Sequence, residues 1–418
     1  MRRWTILFAA AIAAFLVPSF SAATTRDPFY GQLWGLHRVG AEFAWKVSRG
    51  SGVLIAVIDS GVDLQHPDLK DKVTPGKDYI DPNTDADDAN GHGTLIAGIA
   101  AASTDNGVGI ASVAPDAKIL PVRVFGADGK GNSNQVAEAI RWSTDEAQAR
   151  NMKLVLNLSF VGPPDGDGIP DPSALIFRDP GVQSAITYAA DKGAAVIAAA
   201  GNDGGASTPY NAPDNRGIIV VGSSDRQDQC ATFTNYGAGL DILAPGVEII
   251  STYWSSEKDE SVYASAEGTS VSVPFVAGAA AVLMANGMTN VTAVQRLIAT
   301  ASGPGVSCKG EATKYKVLDL AAAAGVARPT ATKPPSQSPS PSPTAIGPSP
   351  SPSPSPVPLV LPSPGEAPVL AVEEPSPSPS PGAAPDDAGD GGPDPLTAIA
   401  TALVVAIGGL HVFRKKLI

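Results

Sequence analysis

The chain is poor in several residue types: of its 418 residues only two are cysteine, four are histidine and 17% are charged. It has 29 basic against 41 acidic residues, a formal net charge of −12, and no basic cluster outside its two ends. A nucleic-acid partner needs a basic face, so the composition argues against one. With 43% hydrophobic residues, the chain is not disordered overall and can form one large globular domain plus extensions.

The two cysteines, Cys230 and Cys308, allow either one disulfide or two unpaired thiols, and the sequence leaves both open. A bridge would close a loop of about 80 residues and stabilise the fold by about 4 to 5 kcal/mol in the chain-entropy model. An exported domain would meet a compartment that permits this oxidation.

The first 23 residues have the pattern of a secretory signal peptide. Arg2 and Arg3 precede an apolar run from Trp4 to Val17, and small residues follow up to Ala23, after which we expect cleavage. The alternative is an N-terminal membrane anchor. It is disfavoured because the run is short and is followed by a small-residue cleavage pattern.

The opposite end carries an uncharged apolar run, residues 396–413, followed at once by a basic tail, residues 414–418. The run is just long enough to cross a bilayer, and its flanking charges predict a cytoplasmic tail. We therefore expect one transmembrane helix, a membrane partner for that helix and a main domain outside the cell membrane. A buried core helix is the alternative, but a proline-rich segment separates the run from any core.

Residues 327–395 consist largely of proline, serine and alanine, with PSPSPS repeats. This composition cannot bury a core and favours a disordered, extended linker. At about 3.1 Å per residue, such a linker could reach on the order of 200 Å. A sortase-type anchor is disfavoured, because LPSPG at Leu361 lacks the threonine and lies far upstream of the apolar run.

Residues 24–326 alternate short continuous apolar runs with longer helix-like stretches, which is typical of parallel strands covered by helices on both faces. The predicted fold class is α/β, with a mainly parallel sheet. The predicted strands are VLIAVI ending at Ile58, KILPVRV ending at Val124, KLVLNL ending at Leu158, AAVIAAA ending at Ala200 and IIVVG ending at Gly222.

Helices are predicted from Ser133, as an N-cap, to Arg150, and again from Ser270. In an open parallel sheet, functional groups collect beyond the carboxyl ends of the strands. Asp59 and Asn202 lie at two of those ends and are therefore the first candidates for a site.

Peptide hydrolysis by acyl transfer needs a nucleophile, a base, a group that orients the base and donors for the oxyanion. Of the four histidines, only His92 lies in a glycine-flanked turn, NGHGT, followed by an apolar run that predicts a buried helix. His411 falls in the C-terminal apolar run, and His37 and His66 lack such a turn. His92 is therefore the candidate base, with a structural histidine as the alternative.

Three further residues complete the candidate set. Asp59 ends a strand and could orient an imidazole, Ser270 opens an apolar helix in EGTSVSVPF, and Asn202 follows a strand of tiny residues in AAAGND. Each also has a plain structural reading: a strand-end turn cap, a helix N-cap serine and a turn-forming asparagine.

The segments VIDSGVD, GHGT, AAAGN and GTSxxxP occur in that order, and together they resemble the subtilisin family of serine peptidases, the subtilases. The resemblance implies a three-layer domain in which Ser270 is the nucleophile, His92 the general base and then acid, and Asp59 the orienting carboxylate. It also implies that Asn202 donates to the oxyanion. An extended polypeptide substrate would lie between two backbone stretches, formed by Gly129, Lys130 and Gly131 and by Ser159, Phe160 and Val161.

The chain also departs from the family pattern. Val161 replaces a usual glycine in the substrate cleft, and no propeptide separates the signal peptide from the domain. The short N-terminus and C-terminal anchor resemble those of mycosins, membrane-anchored subtilases. A carboxylate-based sedolisin is disfavoured, because its site needs a glutamate where His92 stands.

Two acidic loops are candidates for structural calcium, which binds clustered oxygen ligands. One contains Asp81, Asp85, Asp87 and Asp88, and the other contains Asp165, Asp167 and Asp171. The alternative in both cases is a solvated acidic loop. No cofactor is expected for the catalytic reaction itself.

The sequence thus predicts a membrane-anchored serine endopeptidase with an extracellular, monomeric catalytic domain that cleaves extracytoplasmic proteins. The alternative is a cell-surface binding protein that has the subtilase fold but no longer cleaves.

Overall fold

The structure, a computed structural model, describes residues 25–160, 177, 179–206 and 218–328. The predicted signal peptide, linker, transmembrane helix and cytoplasmic tail lie outside these ranges, as do Val161, Asp165, Asp167 and Asp171. No helix within the described ranges is long and apolar enough to cross a membrane.

The described residues contain eleven strands. They are β1 Val53–Asp59, β2 Lys77–Asp78, β3 Lys118–Arg123, β4 Lys153–Leu158, β5 Ala195–Ala199, β6 Ile218–Ser224, β7 Ile242–Pro245, β8 Ile249–Ser255, β9 Glu260–Ala266, β10 Ser302–Val306 and β11 Tyr315–Val317. All five strands predicted from apolar runs are therefore present, with ends shifted by at most two residues.

The helices of the described ranges follow a short 3-10 turn at Tyr30–Gln32. They are α1 Trp34–Val39, α2 Ala41–Ala44, α3 His92–Ala101, α4 Ser133–Ala149, α5 Pro180–Asp191, α6 Thr269–Ala285, α7 Asn290–Thr300 and α8 Leu320–Ala323.

Nine of the described strands form one sheet, in the order β10, β11, β7, β6, β5, β4, β1, β3, β2. Neighbours in this sheet run parallel except for β10 and β11, whereas β8 and β9 form a separate antiparallel hairpin. The predicted α/β class with a mainly parallel sheet is confirmed.

Strand β1 lies between β4 and β3 in the sheet and is buried on both faces. Val53, Ile55 and Val57 pack into one core with α3, α6 and α7, while the alternate residues of β1 pack into a second core with α4 and α5. Side chains alternate across a strand, so a continuous apolar run supplies both cores. The carboxyl end of β1, at Asp59, lies at the edge of the sheet where the parallel strands end.

Two helix starts differ from the sequence prediction by one residue. The side chain of Asn132, not Ser133, caps α4 by accepting a hydrogen bond from the amide of Gln135. Helix α6 begins at Thr269, so that Ser270 is its second residue and Gly268 its N-cap. Nearly every residue of α6 is buried, as its apolar composition predicted.

The two cysteines, Cys230 and Cys308, are joined in a disulfide. The bridge links the turn that follows β6 to the turn that follows β10, across one end of the large sheet. Of the two alternatives left open by the sequence, the structure has the bridge.

Candidate active site

Asp59 and His92 are in direct contact. Asp59 is the last residue of β1, His92 is the first of α3, and His92 Nδ1 donates to Asp59 Oδ1 over 2.8 Å. Gly93 permits this approach, because a Cβ there would lie 2.0 Å from the carbonyl oxygen of Gly61. Since a carboxylate oxygen only accepts, the bond places the imidazole proton on Nδ1 and leaves Nε2 able to take a proton.

The surroundings of His92 are nearly dry, with 10% of its side chain exposed. Burial lowers the pKa of His92, but the charge and hydrogen bond of Asp59 and the charge of Asp88 outweigh burial and raise the pKa above its ordinary value. Within the described residues, Nε2 has no hydrogen-bond partner. The imidazole is therefore held at one nitrogen and free at the other, as a general base requires.

Ser270 lies beside the side-chain amide of Asn202. A Cβ built on Gly268 would be 3.2 Å from Ser270 Oγ and 3.4 Å from Asn202 Nδ2, so the hydroxyl and the amide border the same small space. Gly268 has a φ of 148°, in the region that favours glycine, which keeps this space open. A hydroxyl and a hydrogen-bond donor thus face one position.

The orientation of the Asn202 amide is set by Thr269. The backbone amide of Thr269 donates to Asn202 Oδ1 over 2.8 Å, and the Thr269 hydroxyl donates to the same oxygen over 2.9 Å. Because two donors require an acceptor, the oxygen must face Thr269 and the NH2 group must face the space beside Ser270. An oxyanion formed there would find a ready donor.

The hydroxyl of Ser159 satisfies the backbone carbonyl of Ser270. Pro274 lies inside α6 and has no N–H to donate to the carbonyl of Ser270, four residues earlier. The hydroxyl of Ser159 donates to that carbonyl instead, over 2.9 Å, and both residues are buried. Because α6 begins at Thr269, Pro274 lies beyond the first helical turn, and the bond that its N–H would have made is lost.

The predicted substrate-binding residues are placed unequally. Gly129 and Gly131 lie in the turn that follows β3, but the carbonyl of Lys130 accepts from Gly126 N and its amide donates to Asp128 Oδ1. The backbone of Lys130 is therefore engaged within its own turn and does not offer itself to a substrate strand, contrary to the prediction.

Phe160 does not project into a cleft. Its ring is 2% exposed and packs between Phe125 and Phe177, with ring centroids 5.0 Å and 5.5 Å away. The side chain belongs to the core beneath the site, so the Phe160 ring does not line a substrate cleft.

The first predicted calcium loop does not form a ligand set. No group of three or more His, Cys, Asp or Glu side chains that could hold a metal ion occurs in the described part of the chain. Asp81 and Asp87 instead accept hydrogen bonds from nearby amides, such as those of Asn83 and Leu64. Calcium at Asp165, Asp167 and Asp171 stays a prediction, because those residues lie outside the described ranges.

Asp88, included in that loop, has a different role in the structure. Its carboxylate is buried and accepts five hydrogen bonds, from the Ser60 hydroxyl, from the amides of Asn90, Gly91 and Thr94, and from the Thr94 hydroxyl. These bonds hold the turn that ends at His92 against the turn that follows Asp59. Sequence reasoning missed this role, although the position of Asp88 in the turn before His92 was an available signal.

Comparisons with known proteins match the same region of the chain. A family model described as the subtilase family covers residues 50–328. A thermophilic serine proteinase from Bacillus sp. (strain AK1) is 39% identical over 306 residues, 72% of this chain and 70% of that protein. Thermitase from Thermoactinomyces vulgaris is 38% identical over 300 residues, 71% of this chain and 99% of that protein.

A solved protease structure from Pseudoalteromonas arctica is also similar, with 28% identity and a TM-score of 0.60 over 72% of this chain and 99% of its own. The residues matched by the family model include Asp59, His92, Asn202 and Ser270.

Ser159→Ala should lower the free energy of unfolding by about 1 to 3 kcal/mol, because the buried carbonyl of Ser270 loses its donor. In a Pro274→Ala background, the restored backbone N–H at position 274 can donate to that carbonyl. Ser159→Ala should therefore lower the free energy of unfolding clearly less in that background. Denaturant unfolding of the four proteins measures this coupling. Strictly additive losses in the free energy of unfolding would contradict this explanation. Ser143→Ala, in the middle of α4, is the control for the loss of a buried hydroxyl elsewhere.

Asp88→Asn should move the acidic limb of the pH profile of kcat/KM toward lower pH. The charge of Asp88 raises the pKa of His92, so its removal lets His92 lose its proton at lower pH. Asp85→Asn, which removes an exposed charge from the same loop, should leave the limb in place because water and salt screen it. Equal shifts in both variants would argue against a specific effect of Asp88.

Proposed function

The chain belongs to the subtilase family of serine endopeptidases, and from this premise we propose that it cleaves extracytoplasmic proteins through an acyl-enzyme on Ser270. The observation that carries the mechanism is the pairing of two contacts. His92 is hydrogen-bonded to Asp59, and the amide of Asn202 borders the same space as the hydroxyl of Ser270. These two contacts support the proposed roles of Asp59, His92 and Asn202, and the transfer of a proton from Ser270 to His92 is part of the proposal.

In the proposed reaction, Ser270 Oγ attacks the carbonyl carbon of the peptide while its proton passes to His92 Nε2. Asp59 stabilises the resulting imidazolium without taking the proton. The negative oxygen of the tetrahedral intermediate accepts hydrogen bonds from Asn202 Nδ2 and from the backbone N–H of Ser270, near the positive end of the α6 dipole.

Collapse of this intermediate breaks the carbon–nitrogen bond, and His92 gives its proton to the leaving amine. The acyl group then remains on Ser270 Oγ. A water molecule repeats the attack, with His92 again accepting the proton, and the second collapse releases the acid product and the free hydroxyl. Every proton taken by His92 is returned in the same half-reaction.

The proposed substrate is an extended segment of polypeptide, whose backbone would pair with the chain near Gly129, Gly131 and Ser159. Each of these residues lies just beyond the carboxyl end of strand β3 or β4, at the edge of the sheet where Asp59 also lies. A folded substrate would have to present a loop or an unfolded segment to reach this edge.

We place the catalytic domain outside the cytoplasm, tethered to the cell membrane by residues 396–413. Two observations support this location: the targeting patterns at the two chain ends, and the disulfide between Cys230 and Cys308, which is typical of oxidising compartments. The alternative of a silent binding protein predicts a missing or displaced catalytic group. No described residue favours it.

A serine-directed sulfonyl fluoride should label the wild-type protein once, on Ser270, and abolish peptide cleavage, because in the proposed mechanism His92 activates this hydroxyl and Asn202 stabilises the oxyanion. Ser270→Ala should remove both labelling and cleavage, as measured by mass spectrometry and a peptide-library assay. Ser272→Ala is the matched control. The Ser272 hydroxyl lies two residues further along α6, is buried and is hydrogen-bonded to the Ser223 hydroxyl, so it should not be labelled. Label on any other serine would refute the assignment.

Asn202→Ala should lower kcat about 100- to 1000-fold while KM changes little, the size known for the equivalent change in subtilisin. The amide stabilises charge that develops only in the transition state, so substrate binding is nearly unaffected. Steady-state kinetics separate the two constants. Asn83→Ala, on an exposed loop, is the control, and a loss confined to KM would count against the role of Asn202.

A further inference from the structure

Residues 201–205, here called the oxyanion loop, carry Asn202 away from the end of strand β5. Thr269 holds one side of this loop by donating to Asn202 Oδ1. The Thr269 hydroxyl also accepts a hydrogen bond from the backbone N–H of Gly201, over 3.0 Å. The other side of the loop faces away from α6. A donor that must meet a developing oxyanion at about 2.7 to 3.1 Å needs support on both sides.

Asn235 supplies the second support. Its side-chain Oδ1 accepts hydrogen bonds from the backbone amides of Asp203, over 3.0 Å, and Gly205, over 2.9 Å. Its Nδ2 donates to Asp203 Oδ2 over 3.1 Å, and its own backbone N–H donates to the carbonyl of Gly201 over 3.0 Å. Asn235, 2% exposed, therefore ties down three of the five residues of the loop, two through its side chain and one through its backbone N–H.

The fit between Asn235 and the loop is close. A Cβ on Gly201, whose φ is 101°, would lie 2.4 Å from Asn235 Nδ2, so only glycine lets the amide reach this position. A shift of Asn235 by an ångström relative to the oxyanion loop would break several of these hydrogen bonds at once. Asn235 thus restricts the path of the chain on both sides of Asn202.

Asn235 is itself firmly attached to the sheet. The neighbouring Thr234 hydroxyl accepts from the backbone amide of Ser223, in strand β6, over 3.1 Å. Five residues earlier, Cys230 is bonded to Cys308. The support is therefore part of the rigid framework and not a second mobile loop.

We propose that Asn235 is a positioning residue for catalysis, which sets the place of Asn202 Nδ2 relative to Ser270 by holding the oxyanion loop. The proposal rests on the proposed function, since Asn235 can act on turnover only if Asn202 stabilises the oxyanion. It assigns to Asn235 a contribution to kcat that is delivered through another residue. Displacement of the donor by about 1 Å is enough to slow a reaction markedly.

The first experiment is a double-mutant cycle on peptide cleavage by the full-length chain. Asn235→Ala should lower kcat about tenfold with KM changed less than about twofold, because only transition-state stabilisation is lost. In an Asn202→Ala background, the same change should lower kcat less than about twofold. Asn290→Ala is the matched control: it removes another buried asparagine, whose amide donates to the carbonyls of Ala190 and Ala194 ahead of strand β5, at the opposite end of that strand from the oxyanion loop, and it should leave kcat nearly unchanged in both backgrounds.

The second experiment tests the contact with Asp203. Asn235→Asp should lower kcat, because it places a second carboxylate where the structure has an amide donor facing Asp203 Oδ2. The double change Asn235→Asp with Asp203→Asn exchanges donor and acceptor across the same contact and should restore most of the lost kcat. The kcat values are compared under conditions in which circular dichroism shows every variant to be folded, so that a loss of folded protein is not counted as a loss of kcat.

The outcomes are distinguishable. If Asn202→Ala lowers kcat but Asn235→Ala leaves it unchanged, or lowers it equally in both backgrounds, the positioning role is wrong while the proposed function stands. If Asn202→Ala itself leaves kcat unchanged, the oxyanion role of Asn202 fails, and the inference about Asn235 falls with it. Loss of the Asn235 effect in the Asn202→Ala background, with rescue by the exchange, supports the proposal.

Discussion

The hydrogen bond between Asp59 and His92 joins the end of strand β1 to the first residue of a buried helix, and the site is arranged around it. The bond requires a close approach of two backbones, which the glycine at position 93 permits. Burial strengthens it, because the side chain of Asp59 is 1% exposed and water screens the pair weakly. Without this bond, neither the orientation of the His92 ring nor the nitrogen that carries its proton would be fixed.

The polar groups beneath this pair are buried and are satisfied by one another. Asp88 collects five donors from the two turns that carry the catalytic pair, and the hydroxyls of Ser251 and Thr252, on β8, donate to carbonyls in the first turn of α3. An unpaired group here would cost several kcal/mol, so the network strongly favours one arrangement of the turns. The hairpin of β8 and β9 is therefore part of the support of His92.

The nucleophile and the oxyanion donor are held in a similar way, by side chains distant in sequence. Pro274 breaks a local rule of helix structure, and Ser159 supplies the missing donor from the end of a different strand. Asn202 is oriented by Thr269 on one side, and its loop is held by Asn235 on the other. Deviations from ideal local structure at the site are thus compensated by tertiary hydrogen bonds.

The sequence by itself determined the α/β class, the five main strands and the identity of the four candidate residues, because apolar periodicity and glycine-flanked turns are local signals. It did not reveal that Phe160 is buried, that Lys130 is engaged in its own turn, or that Asp88 and Asn235 are supports and not ligands or plain loop residues. The burial of Phe160 and the contacts of Asn235 depend on which groups meet across long sequence separations, whereas Lys130 and Asp88 bond mainly to residues within six positions, in turns whose shape the surrounding fold fixes. Only the packing of the sheet and helices decides that, since a polar side chain's role follows from the partners that burial gives it.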